Sequence, residues 1–222
     1  LPVGVKTEQN TFLLDSLFNQ PLPFLDNIQF KASNLVNKSG EYIGASEANL
    51  YEFEQNFAEF VVKQKELKFL SGEMGLSWGQ RDVHGKGYAR YLPNVKTNKQ
   101  AFFIQEKLSF NPIYFDAGYR KEKVEHQIQD QTFVLARNAN NQKLENRDFD
   151  LTQFYVGAGL NWGEHVHIYA KYSESERAPE INELYSSNPH YSVMTQEEGN
   201  QNLEKEKVKA MELHKMMGSK IE

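Results

Sequence analysis

The sequence predicts an all-β protein, an antiparallel up-and-down portion of a transmembrane β-barrel with about nine strands, short turns on one side and long loops on the other. Three observations predict it. Apolar and polar residues alternate with period two over several segments. The links between those segments alternate short and long along the chain, which outer-membrane barrels do and soluble sheets have no reason to do. No run of 18 apolar residues occurs, which excludes a transmembrane helix but not a spanning strand, whose alternation leaves only a weak hydropathy signal.

Strands are expected at 10–18 and 27–37, followed by a long polar link from Lys38 to Glu47. A third strand, 49–63, turns around Glu66 into a fourth, 67–81, where Leu70, Met74, Leu76 and Trp78 fall opposite Ser71, Glu73, Ser77 and Gly79. After a link from Asp82 to Asn98 come 99–109 and, across Asn111-Pro112, 113–125. There Ile113, Phe115, Ala117 and Tyr119 oppose Tyr114, Asp116, Gly118 and Arg120. A link from about His126 to Arg147 leads to 149–162, with Phe154, Val156, Ala158, Leu160 and Trp162 on one face. Gly163-Glu164 then opens 165–174, with Val166, Ile168, Ala170 and Tyr172 opposite His167, Tyr169, Lys171 and Ser173. The last long link, about Glu174 to Leu203, precedes 206–216. In that stretch Val208, Met211 and Met216 also stand at loosely helical spacing, so a helix remains open there.

Trp78, Phe110, Tyr114, Trp162 and Tyr172 near strand ends fit two interfacial aromatic girdles; the alternative is the core of a soluble sandwich. Glu73, Asp116, Arg120, Asn161, His167, Lys171, Lys209 and Glu212 project from the non-apolar side. In a wide barrel that side lines a lumen filled by water or another domain.

The 222 residues suffice for one large domain or two small ones. Net charge is −5 and the 25 basic residues are scattered, so no nucleic-acid partner is indicated. With no cysteine there is no disulfide framework, thiol nucleophile or Cys-ligated metal, a composition that suits export through an oxidising space. The chain opens at Leu-Pro-Val with neither Met nor a charged-then-apolar leader, as a fragment or mature segment would.

Enzyme motifs are absent: no G-x-S-x-G, P-loop, G-x-G-x-x-G or H-E-x-x-H occurs, so no catalytic residue and no cofactor are expected. Ser175 and His190 are the one vague Ser–His pair an outer-membrane lipase would need. The glycines of "VHGKGYARY" read as a flexible loop. His165 and His167 share a strand face and could bind a metal with a third ligand; a polar lumen pair is the plainer reading. His84, His126 and His190 fall in the long loops, where they could hold a cation loosely. Glu174, Glu176, Glu180 and Glu183 cluster, as solvated carboxylates often do.

"YAKYSESERAPEINELY", followed by "GNQNLEKEK", resembles the late-barrel signature of TonB-dependent outer-membrane receptors. That signature is S-x-S-F-R-A-P, then x-x-x-E-L-Y, then Gly-Asn-Pro-Asn-Leu-x-Pro-Glu opening the next strand. This chain carries Ser173, Ser175, Arg177, Ala178, Pro179, Glu183, Leu184 and Tyr185, then Gly199, Asn200, Asn202, Leu203 and Glu206. It departs at Glu176, usually an aromatic, and at Gln201 and Lys205, usually prolines. "GEMGLSWGQRD", "RYLPNVKTNKQAFFIQEKLSF" and "YFDAGYRKEKVE" are similar to barrel strands of the branch that imports zinc or haem-like cargo. Arg177 can make a fixed, bidentate contact to a carboxylate or to loop carbonyls. Pro179 stops the ladder and biases Ala178 to an extended backbone, which would bend the chain off the wall into an extracellular loop.

The resemblance implies residues 1–222 of a barrel domain of about 22 strands whose lumen is plugged, lying in the outer membrane of a Gram-negative bacterium and in contact with its lipid. Neither the plug domain nor the TonB box is expected within this chain. An inner-membrane TonB complex would act through that missing plug to admit a scarce nutrient, a metal or metal chelate such as an iron–siderophore, haem or zinc. A soluble all-β ligand-binding protein is the alternative; it requires the apolar strand faces to meet in a closed core instead of facing lipid.

Overall fold

The computed structural model describes residues 3–87, 90–131, 133, 143–163, 166–187, 189–190, 194–196 and 198–217. Eight long strands come first: β1 Val3–Asn19, β2 Leu25–Ile43, β3 Ser46–Gln64, β4 Leu70–Lys86, β5 Val95–Phe110, β6 Ile113–Ile128, β7 Arg147–Trp162 and β8 Val166–Arg177. A single helical turn, α1 Ile181–Tyr185, and two short strands, β9 Pro189–His190 and β10 Thr195–Gln196, precede β11 Glu206–Met217. The long strands form one nine-stranded sheet in the order β1-β2-β3-β4-β5-β6-β7-β8-β11, every neighbour antiparallel. The segment left open between helix and strand is β11, paired with β8 from Glu206↔Arg177 to Met217↔Val166.

Links 20–24, 65–69, 111–112 and 163–165 lie at one end of the sheet and 44–45, 87–94, 129–146 and 178–205 at the other. The expected long link from Lys38 to Glu47 is instead a tight turn, with Gly44 at φ 65°, a conformation that glycine adopts without strain. Ser39–Ile43 continues β2 and pairs with β3. Most strands run several residues further into the long-loop end than their alternation suggests.

Cross-strand register fixes which side chains share a face. Toward the short turns, one face carries the rows Phe30–Phe60–Leu76–Phe102 and Ile28–Val62–Met74–Ile104–Tyr119. Farther along the sheet it carries Val156–Tyr172–Met211. Leu76, Phe102, Tyr119, Val156 and Met211 of this outer face are all exposed. Toward the long loops the apolar residues change sides. On β6, Ile113, Phe115, Ala117 and Tyr119 point outward and are followed outward by Lys121, Lys123 and Glu125, while Val124, His126 and Ile128 turn inward and are buried. The same switch separates Trp78 from Val83 on β4, Phe102 from Val95 on β5, and Phe154 from Leu151 and Phe149 on β7.

The outer band on β7 runs from Trp162 to Phe154, nine residues, roughly 27 Å of strand and the length a tilted strand needs to cross a bilayer. Phe69 and Phe110 stack at the short-turn end of the sheet, centroids 5.1 Å apart, the end where Leu22, Phe24 and Trp162 are also exposed. Two expected positions change. Tyr114, opposite Gly159, faces inward with Tyr169 and does not join a girdle. Lys209, opposite Glu174, stands on the outer face above the band and not in the lumen, where it pairs with that carboxylate at 3.5 Å.

Candidate functional site: the inner wall and its cap

The lower inner wall is polar and aromatic. Tyr114 stacks on Tyr169 and His167, centroids 6.0 Å away in each case, and Lys107 Nζ lies 4.3 Å from its ring centre. Tyr169 donates to Asp116 at 3.0 Å, and Lys171 faces Glu212 at 3.8 Å. The Tyr155 ring lies so close over Gly118 that a Cβ there would come within 2.2 Å of it. A flat ring covers the bare backbone and keeps the wall low in relief.

The upper inner wall carries the buried core. Val83, Val95, Val124, Phe149 and Leu151 from the strands meet Leu92, Phe133, Leu144, Ile181, Leu184 and Tyr185 from the loops. The described parts of segments 87–94, 129–146 and 178–205 interlock through hydrogen bonds. Tyr51 Oη accepts from the Tyr91 and Leu92 amides at 2.6 and 2.9 Å. Ser187 N–H donates to Tyr91 O at 2.8 Å, Tyr185 Oη–H to Glu145 O at 2.8 Å, and Arg90 pairs with Asp130. The chain after β8 folds inward over the wall.

The motif residues build this cap. Arg177 makes a bidentate pair with Glu183, 2.9 and 3.0 Å, and reaches Glu206 at 2.9 Å, tying the end of β8 to α1 and to the start of β11. Glu183 also accepts the Glu180 amide at 2.7 Å in a capping box. Ala178, Leu184 and Tyr185 are buried, and the Pro179 carbonyl accepts from His126. Asn200 N–H donates to Glu183 O at 2.8 Å, Gly199 N–H to Ser186 O at 2.7 Å, and Leu203 N–H to Asn200 O at 3.2 Å. A Cβ on Gly199 would come within 2.5 Å of the Tyr185 amide nitrogen, so only glycine fits. Asn200 Oδ1 accepts from Asn202 N–H at 3.0 Å. Ser173 and Ser175, opposite Ala210 and Val208, are on the inner wall of β8.

The departures from the signature are joined to it. Lys205 Nζ lies 2.8 Å from Glu176, which also accepts the Thr152 amide at 2.9 Å. Gln201, 7% exposed, accepts from the Glu145 amide at 3.2 Å. The carboxylates that looked solvated are likewise paired: Glu174 with Lys207 at 2.6 Å, and Glu180 with Lys99 and Arg81 at 3.8 and 4.0 Å.

Two of the three histidines expected in long loops lie on strands. His84 belongs to β4, opposite Glu52 on the outer face, because the strand outlasts its alternation. His126 belongs to β6 and is 2% exposed; Thr97 lies 2.9 Å from Nδ1 and Pro179 O 3.2 Å from Nε2. A carbonyl only accepts, so Nε2 carries the proton, Nδ1 accepts from the Thr97 hydroxyl, and neither nitrogen is left for a metal. His190 pairs through its backbone with Thr195; its side chain, and all of His165, lie outside the described residues. Among the described residues no group of three His, Asp or Glu side chains could hold a metal ion.

His126 stands above the apolar band, clear of the spanning part of β6. Burial pushes its ring down to about 4, below the ~6.5 of an unfolded histidine. The unfolded chain therefore binds the extra proton between those values, so the cap keeps its full stability above about pH 6.5 and loses part of it as pH falls toward 4. Protease sensitivity of the cap loops should rise through that window, and a His126→Gln variant should lack the step. Hydrogen bonds from Arg177 hold the Glu183 carboxyl below its usual range. That contribution is present above the unfolded carboxylate value of ~4.3 and is lost at still lower pH.

Comparison with known proteins places these features. The family described as TonB dependent receptor-like, beta-barrel matches residues 7–215. The TonB-dependent heme receptor A of Haemophilus influenzae (strain 86-028NP) is 23% identical over 133 residues, 58% of this chain and 18% of that protein. The protein of the same name from strain ATCC 51907 / DSM 11121 / KW20 / Rd is 22% identical over 99 residues, 44% of this chain and 13% of that one. This chain thus spans under a fifth of the length of the curated relatives it matches. A solved structure, Copper transporter OprC, superposes with a TM-score of 0.75 over 96% of this chain and 36% of that chain at 11% identity, a likeness of fold.

Proposed function

The chain belongs to the TonB-dependent receptor-like β-barrel family, whose members are transporters and not enzymes, and we propose that it forms part of the wall of an outer-membrane receptor that takes up a scarce nutrient. The observation that carries this reading is the switch of the apolar face at one level across the central strands. Below the switch the outer side is apolar and exposed, as lipid contact requires; above it the apolar residues turn inward under the loops, as an aqueous exterior requires. The long-loop end is then extracellular and the short-turn end periplasmic.

On this reading the polar lower wall faces a plug domain, an inner-membrane TonB complex acts through that plug, and the cargo is a metal or a metal chelate, with iron–siderophore, haem and zinc as the classes to test. Names of relatives that mention heme and copper support the general class. The soluble alternative would need a layer over the outer face, and the described residues supply none. Expression followed by membrane fractionation tests the reading. The chain should appear in the outer-membrane fraction and need detergent for extraction; a soluble monomer that unfolds cooperatively without detergent would overturn it.

A further inference from the structure

Four buried side-chain polar atoms lack a hydrogen-bond partner among the described residues: Asn37 Oδ1, Asn49 Oδ1, Arg81 Nε and Asp116 Oδ1. Three of these belong to residues lining one hollow of about 340 Å³ on the upper inner wall, between β1–β4 and the 87–94 loop. Asn37 and Asn49 are 6% and 0% exposed. The Asn49 amide orientation is fixed, because its Nδ2 donates to the Glu41 carboxylate at 2.6 Å and a flip would set acceptor against acceptor; Asn37 meets a second amide, Gln9, at 3.4 Å. The Asn49 carbonyl oxygen is therefore left wanting a donor, and the Arg81 N–H of the same hollow wants an acceptor. Leaving such groups unmet is costly.

A metal ion or an ammonium group could meet only the oxygen, and a carboxylate only the arginine. A hydroxyl both donates and accepts. Charge in the hollow also balances, since Arg81 and Glu41 both line it, and Phe53, Tyr51 and Tyr91 add aromatic faces, Tyr51 and Tyr91 with centroids 4.8 Å apart. We propose that this hollow is a subsite for a neutral, polyhydroxylated group of the cargo, recognised by Asn37, Asn49 and Arg81 over an aromatic floor. The proposal rests on the receptor reading only in assigning the group to cargo that enters the lumen.

Equilibrium dialysis of the full chain in detergent micelles tests it, with maltose as the neutral polyol and citrate and spermidine as charged counterparts. Maltose should bind saturably, and Asn37→Ala and Arg81→Gln should each weaken it roughly tenfold, while Gln80→Ala on the outer face should not. If Asn37→Ala fails to fold by circular dichroism, the half-exposed Arg81→Gln decides. No saturable maltose binding, preference for citrate or spermidine, or unchanged affinity in the folded variants would overturn the subsite. A protein found in the outer membrane that ignores maltose overturns the subsite alone; a soluble protein that binds maltose overturns the receptor reading alone.

Discussion

Met74→Arg is expected to destabilise the protein folded into phospholipid vesicles by about 2–4 kcal/mol, the cost of a guanidinium near the bilayer midplane on the lipid face of a barrel. Met74 lies midway along the outer band of β4, between Leu70 and Trp78, in the row with Val62 and Ile104. It is 45% exposed, so on a water-soluble protein the same change would fall within ~0.5 kcal/mol. Gln80→Arg, one rung beyond Trp78 and above the switch, should cost no more than ~1 kcal/mol. Denaturant unfolding of the two variants in vesicles gives the comparison. Equal costs would mean that the switch between Trp78 and Val83 does not mark the lipid boundary.

Leu184→Ala is expected to loosen the cap by about 2–5 kcal/mol and to leave the band intact. Leu184 is fully buried in a cluster drawn from three loops and five strands, and its removal leaves a cavity that the interlocked loops cannot close without breaking hydrogen bonds. Hydrogen exchange reads the effect site by site. Amides of Leu92, Ser187, Gly199 and Asn200 should exchange at least ~30-fold faster, while those of β5 and β6 within the band stay unchanged. Loss of protection along the whole sheet would show that cap and wall unfold together, against a wall held by its own ladder and by lipid.

The spanning strands were legible because lipid on one side and water on the other impose period two. In β7 nothing interrupts Phe154, Val156, Ala158, Leu160 and Trp162. The upper strands were not, for the same reason reversed. Where β6 leaves the membrane, Lys121, Lys123 and Glu125 take the outer side and Val124, His126 and Ile128 the inner one. The apolar phase slips by one residue, and the stretch reads as a polar loop although its ladder continues. Ser39–Ile43 hid similarly, since both faces there are polar or buried against the neighbouring strand, as in Glu41 with Asn49.

The motif was legible in its residues but not in its direction. Arg177 and Pro179 pointed to a fixed bend; that the bend turns inward depends on His126, Tyr91 and Glu145, none of which a local pattern links to the motif. The hollow at Asn37 and Asn49 left no local signal, because it joins β1 to β4 with a loop. A polar residue on an inner face is ordinary until its partners are counted.

The absence of cysteine allows a direct test of the two-faced wall through single nitroxide labels at adjacent positions of β5, Ile104→Cys and Gln105→Cys. Collision rates with oxygen, which concentrates in lipid, and with a water-soluble nickel chelate would be measured by electron paramagnetic resonance in vesicles. The label at 104 should favour oxygen and the label at 105 the chelate. Two labels with the same preference, both wet or both shielded, would contradict a wall that meets hydrocarbon on one side and water on the other.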